Sequence, residues 1–236
     1  MDAVPAYVSI VFILTTFASV AFLLHAVKQA GAHSFSAKLL AFLIAFWLLF
    51  QAALARGGFY DDRTSFPPRL FLFGVLPAVL TILTYLIFFR GLLARLPLST
   101  LTLLHVVRIP VELCLLWLAI AGTVPRMMTF EGRNFDIVSG VLGALAWLVV
   151  FKVGFKSRIV LLTFNLVGLA LLINIVSIAA LSLPSPLQQL NLDQPNVAVL
   201  YFPYIWLPTV IVPIVLFSHV VSLWKLLRPG AVARNL

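Results

Sequence analysis

Three ionisable side chains share one apolar stretch of this chain. Within LTLLHVVRIPVELCLLWLAIAG, from Leu101 to Gly122, stand His105, Arg108 and Glu112. Arg108 and Glu112 are four residues apart, so a helix puts them on one face, and His105 joins them three residues earlier. A charged group at the centre of a membrane helix costs about 2.5–3.5 kcal/mol on insertion scales, so it is kept only where it is paired or used. The spacing predicts that Arg108 and Glu112 neutralise each other. With His105 they form a candidate polar centre that could pass a proton, bind an ion or hold a small ligand. The alternative is structural, a pair that only locks helix packing. Pro110 withholds the amide that would reach the Val106 carbonyl, which predicts a kink beside the stripe.

A second candidate group sits in two loops. Glu131, Arg133, Asn134 and Asp136 come from one, and Asp193, Gln194 and Asn196 from the other, with Tyr201, Tyr204 and Trp206 close behind. Charges and amides beside aromatic walls suit a small-ligand pocket; ordinary packed loops are the alternative. On this reading every acidic residue other than Glu112 belongs to a loop or a terminus. A third and weaker group is His25, His105 and His219, all toward the same side of their helices, which could ligate a metal or haem from facing helices. No HxxxH or HxxE pairing supports it, so no metal or cofactor is expected.

Several activities lack their signatures. There is no Walker lysine loop, GxGxxG, HExxH or GxSxG. Lys225 stands at the end of the last apolar run among basic residues, as an anchor rather than a retinal lysine. Cys114 is the only cysteine, so no disulfide forms within the chain.

The elements that must position these groups are membrane spans. The sequence is 63% hydrophobic and only 10% charged, with a mean hydropathy of +1.13, more apolar surface than a soluble domain of this length can hide. Seven runs are long enough for a hydrocarbon core of about 30 Å. They fall at about 7–27, 39–55, 70–89, 101–122, 137–155, 159–182 and 205–227. Backbone groups in lipid must be satisfied internally, so the spans are helical and the fold is an all-α, single-domain, seven-helix bundle. Residues Val197 to Tyr204 are expected at the lipid interface before the last span. The start, MDAVPAY, lacks a basic n-region, so the first run is expected to be a retained span.

Net charge is +9, but its distribution argues for topology rather than nucleic acid. With the N-terminus outside, the inner side carries Lys28, Lys38, Arg90, Arg95, Lys152, Lys156, Arg158, Lys225, Arg228 and Arg234 and no acidic residue. The outer side mixes five arginines with Asp2, Asp61, Asp62, Glu131, Asp136 and Asp193. N-outside, C-cytoplasmic is the expected orientation.

Three stretches, HVVRIPVE (His105–Glu112), MTFEGRNFDI (Met128–Ile137) and DQPNVAVLYFPYIWLP (Asp193–Pro208) with IVPIVLFSH (Ile211–His219), together resemble a group of uncharacterised seven-helix bacterial membrane proteins. The resemblance implies a bacterial inner-membrane location and carries no catalytic roles. The expected function is handling or sensing of a small solute or ion, transporter- or receptor-like, in contact with the bilayer and not with nucleic acid. The alternatives are an intramembrane enzyme or haem protein, and an accessory subunit that binds another membrane protein.

Overall fold

A computed structural model describes residues 3–31 and 35–228. Asp2 and Arg234, which enter the charge balance, lie outside the described residues. The described chain is all-α, and six of its helices are long and apolar enough to cross a membrane. Large apolar side chains cover the outside, including Phe42, Phe46, Ile120 and Ile159. Such a surface is unsuited to water and suited to lipid.

Helix α1 (Ala6–Gln29) buries one stripe, Phe12, Thr16, Ser19, Leu23 and Ala26 among them, against the rest of the bundle. Its hydroxyls do not need water, because Thr15, Thr16 and Ser19 donate to the carbonyls of Val11, Phe12 and Thr15 at 2.8–2.9 Å. Helix α2 (Phe35–Arg56) and helix α3 (Leu76–Phe88, preceded by a wide π turn over Phe71–Val75) are peripheral. A short helix α4 (Arg90–Arg95) turns the chain inward. The fourth span is broken: α5 (Leu98–Leu104), a 3₁₀ turn (His105–Val107), then α6 (Arg108–Ile120). The break falls where Pro110 leaves the Val106 carbonyl without its amide, as the sequence predicts.

Helix α7 (Asp136–Trp147) ends in a π turn over Leu148–Lys152. It is shorter than the six apolar helices above and starts deeper. Glu112 lies eight residues before the end of α6, about 12 Å down at about 1.5 Å per residue. The segment before α7 reaches that depth, since Asn134 touches Glu112. Residues 126–135 therefore dip into the bundle as a packed loop that opens with a 3₁₀ turn over Arg126–Met128, with Met128, Thr129 and Asn134 buried. Helix α8 (Arg158–Leu181) is capped by Ser157, whose Oγ accepts from the Val160 amide. Helix α9 (Val212–Leu227, preceded by a π turn over Leu207–Ile211) is the most buried span and packs on α5 and α8.

Two prolines create carbonyls that α2 then satisfies. Pro77 cannot donate toward Phe73, and Gln51 Nε2 donates to the Phe73 carbonyl at 2.9 Å. Pro213 cannot donate toward Thr209, and Trp47 Nε1 donates to that carbonyl at 2.8 Å. Gln51 in turn accepts from Tyr60 Oη at 2.6 Å, and burial pushes the loop phenol of Tyr60 up to about 12.

Three expectations change here. Val197 to Tyr204 packs inward rather than lying open on the surface: Ala198, Val199, Leu200 and Tyr204 are core residues, and the amides of Val197 and Ala198 donate to the Thr123 carbonyl. The aromatic rim is structural too, with Tyr204 Oη on Ser9 Oγ at 2.9 Å and Trp206 Nε1 donating to Leu48 O at 3.0 Å. Lys225 is buried rather than a surface anchor, and its ammonium donates to the Leu96 carbonyl.

Candidate functional site

Arg108 begins α6 at the point where the fourth span breaks, and its guanidinium leaves that helix sideways. Nε donates to Asp136 Oδ2 at 2.6 Å, and Nη2 donates to Asp136 Oδ1, a bidentate pair. Nη2 also donates to the Gly168 carbonyl at 3.1 Å. Nη1 donates to Ser139 Oγ at 2.6 Å and to His219 Nε2 at 3.0 Å. A guanidinium has five N–H groups, and all five are taken, by acceptors on α7, α8 and α9. Because Arg108 can only donate, His219 Nε2 must be the bare nitrogen. His219 Nδ1 therefore carries the proton and donates to Asn165 Oδ1 at 3.0 Å.

The partner predicted for Arg108 is corrected. Arg108 and Glu112 share a helix, but the cation pairs with Asp136, which is the first residue of α7 and 5% exposed rather than part of an outer loop. A carboxylate at a helix N-terminus faces the unbonded amides and the positive end of the helix dipole, so α7 stabilises it as well. Asn134 fixes the approach: its Oδ1 accepts from the Asp136 amide at 3.0 Å, and its Nδ2 donates to Met128 O at 3.0 Å and Glu112 Oε1 at 2.5 Å. Glu112 thus has one oxygen bound and one, Oε2, with no hydrogen-bond partner in a site 1% exposed.

Close backbone approach builds this site. Gly168 is needed because a Cβ there would lie 2.6 Å from His219 Cε1 and 2.7 Å from Ser139 Oγ. On α7 the face Ser139, Gly140, Gly143 lies against the broken span, where a Cβ on Gly143 would meet His105 Cβ at 3.0 Å.

His105 is fully buried, and neither ring nitrogen has a partner. Its ring stacks on His219 with centroids 3.9 Å apart at 25°, and Phe164 meets it edge-on at 5.2 Å. The three-histidine arrangement is not realised. His25 is exposed on α1 and bonds Gln29 Nε2 at 2.9 Å, and stacked rings do not aim their in-plane lone pairs at one point. Among the described residues no group of three His, Cys, Asp or Glu is placed to hold a metal ion.

The outer loops divide. Asn134 and Asp136 belong to the polar centre. Glu131 pairs with Arg126 at 2.8 Å at the surface, Arg133 is exposed and gives its carbonyl to Asn174 at 2.9 Å, and Asp193 is exposed. Gln194 spends its amide on the backbone: Nε2 donates to Ala119 O at 3.0 Å and Val124 O at 2.6 Å, closing the end of α6. Asn196 closes the end of α8 through Ala179 O at 3.3 Å and Ser182 O at 2.8 Å, leaving its buried Oδ1 without a partner. Ser139, Asn165 and Gly168 are site members that spacing within one helix does not reveal.

A cavity of about 140 Å³ adjoins the polar centre, lined by Arg108, Glu112, Asp136 and Asn196 and otherwise by apolar residues such as Leu115, Leu172 and Ile175. On its other side the polar centre continues along the α5–α9 seam. His105 stands level with His219, and Leu96 with Lys225, so the two segments run antiparallel and Thr102 comes level with Ser222 at about 1.5 Å of rise per residue. Thr102, Ser218 and Ser222 are all buried with unpartnered hydroxyls.

The fold and site define a class: an all-α protein with spans suited to a membrane, closed around a buried, hydrogen-bonded ion pair. The chain belongs to the DUF8737 family, described as a domain of unknown function, which matches residues 66–227 and so contains the whole polar centre. No curated protein and no solved structure matches the chain.

Proposed function

We propose that this is a seven-span membrane protein that handles a small solute, transporter-like, through the cavity at Glu112. The span count takes the six long apolar helices together with α7, twelve α-helical residues continued by five in a π turn. The charge distribution supports the N-terminus outside and the C-terminus in the cytoplasm, and the resemblance to bacterial membrane proteins supports the inner membrane as its location.

The observation that carries the reading is Glu112, a residue that lines the cavity and whose buried Oε2 has no hydrogen-bond partner. An intramembrane carboxyl left half-satisfied is costly for a scaffold and useful for a solute or proton path. Arg108 is not that group. Its donors are saturated, so it holds α6 to α9 together, whereas Glu112 keeps an unfilled acceptor beside the cavity. The seam through His105, Thr102 and Ser222 supports transport over sensing, because polar groups succeed one another from the cavity toward the opposite end of the bundle.

Cysteine labelling tests this. In a Cys114→Ser background, Asn196→Cys on the cavity and Ser222→Cys on the seam are expected to react with a small water-soluble thiosulfonate, while Leu101→Cys in the apolar core is not. Labelling of Asn196→Cys and Ser222→Cys no faster than of Leu101→Cys would mean a dry, closed bundle and would remove the case for transport.

A further inference from the structure

We infer that the Glu112 cavity takes a small amphiphile with one cationic, hydrogen-bond-donating head, a primary ammonium, on an apolar body of about the size of benzene. The inference rests on the cavity reading above and names its ligand class.

The unfilled valences of the cavity all have one sign. Each N–H of Arg108 is already given to a protein acceptor. Both oxygens of Asp136 receive from Arg108. Two buried polar atoms remain without partners, Glu112 Oε2 and Asn196 Oδ1, each on a side chain 1% exposed and lining this cavity. The Asn196 amide is oriented by its Nδ2 on Ala179 O, so the atom left over is the oxygen. An ionised carboxylate only accepts, as does an amide oxygen. With Glu112 ionised, the residues that line the cavity hold two unfilled acceptors and no free side-chain donor.

Charge points the same way. Arg108 and Asp136 cancel, and the carboxyl of Glu112 has no basic group bonded to it. A carboxylate or phosphate ligand would find no donor and would face Glu112 across a low-dielectric space. A plain hydrocarbon would leave both acceptors empty, and unpaired buried polar atoms are what discriminate most strongly between ligands. An ammonium supplies three donors and the missing charge. The rest of the wall is aliphatic, Val111, Leu115, Leu172, Ile175 and Val199 among it, and the volume of about 140 Å³ is close to that of an engineered apolar cavity of about 150 Å³ that takes up benzene in another protein.

The test uses the full chain in lipid nanodiscs, with empty nanodiscs as the blank, and three probes of one size: benzylamine, toluene and benzoate. Calorimetry is expected to give saturable binding of benzylamine and none of benzoate. Glu112→Gln, with elution and thermal unfolding like the parent, is expected to weaken benzylamine at least tenfold, and Leu172→Trp, which fills the cavity, to abolish it. The comparison of probes on the parent chain needs no variant. Benzoate or toluene binding as tightly as benzylamine overturns the ligand class while leaving a cavity that binds solutes. Benzylamine binding that survives both substitutions is partition into lipid and overturns it as well. If no probe binds, the inference falls, and cysteine labelling still judges the transport reading separately.

Discussion

Separating Arg108 from Asp136 is the sharpest test of the site. Asp136→Asn keeps the size of the side chain and one acceptor oxygen, but removes the charge that faces a buried guanidinium. Removing one member of a buried ion pair costs about 3–5 kcal/mol, because the remaining charge is left uncompensated. Arg108→Met removes the cation and strands Asp136, with a cost of the same size. It also frees the acceptors on Ser139, Gly168 and His219. The double substitution leaves neither charge behind, so it is expected to cost less than the two singles together, by about 2–3 kcal/mol of coupling, within the range for residues in one network. Glu112→Gln should be mild, about 0–1 kcal/mol, since a Gln carbonyl can still accept from Asn134. Equilibrium unfolding in mixed micelles, with helicity as the signal, measures all four. Additive singles, or a Glu112→Gln cost equal to that of Asp136→Asn, would refute the pairing and restore Glu112 as the counter-ion.

Geometry elsewhere sets two more outcomes. Gly168→Ala puts a methyl group against the His219 ring and Ser139 Oγ, where overpacking costs about 1–3 kcal/mol, whereas Gly91→Ala in α4 meets nothing within 4 Å and should be close to neutral; equal unfolding midpoints would contradict the close α8–α9 approach. The loop carboxyl of Asp62 is held below the usual aspartate range, first by the Thr64 hydroxyl, then by the Thr64 amide and Arg69. A depressed carboxyl stabilises the fold above its ordinary value of about 3.9 and loses that contribution as pH falls through the lowered value. The protection of the Thr64 and Ser65 amides, taken relative to their intrinsic exchange at each pH, should therefore fall below about pH 4, and in Asp62→Asn it should lose that dependence.

Hydropathy alone locates the six long apolar helices, because a run of that length and composition is what a bilayer span demands whatever its neighbours are. The polar centre is legible in part. His105, Arg108, Glu112, Asn134, Asp136 and His219 all stand out as ionisable or amide groups close to or within apolar runs. Their pairing does not, because spacing along one helix says which residues share a face and not what faces them. Arg108 reaches α7 only because residues 126–135 sink into the bundle and bring Asp136 down to its level. Hydropathy reads that stretch as an exterior loop, since Arg126, Glu131 and Arg133 are indeed at the surface. Gly168 carries no chemistry of its own, and only the approach of His219 reveals why a side chain is excluded there. Gln194 and Asn196 have the composition of a ligand loop, yet the Nε2 of one and the Nδ2 of the other are used on helix ends, which leaves the buried Asn196 oxygen open.

Because the acceptors for Arg108 arrive on three later helices, synthesis order acquires a meaning. When α6 has left the ribosome the guanidinium has no counterpart, the carboxylate comes with α7, the Gly168 carbonyl with α8, and the last valence is filled by His219 only with α9. A chain cut short before α9 retains a cation with an open bond in the middle of its assembly, so one side chain keeps the count of whether α7, α8 and α9 have all arrived.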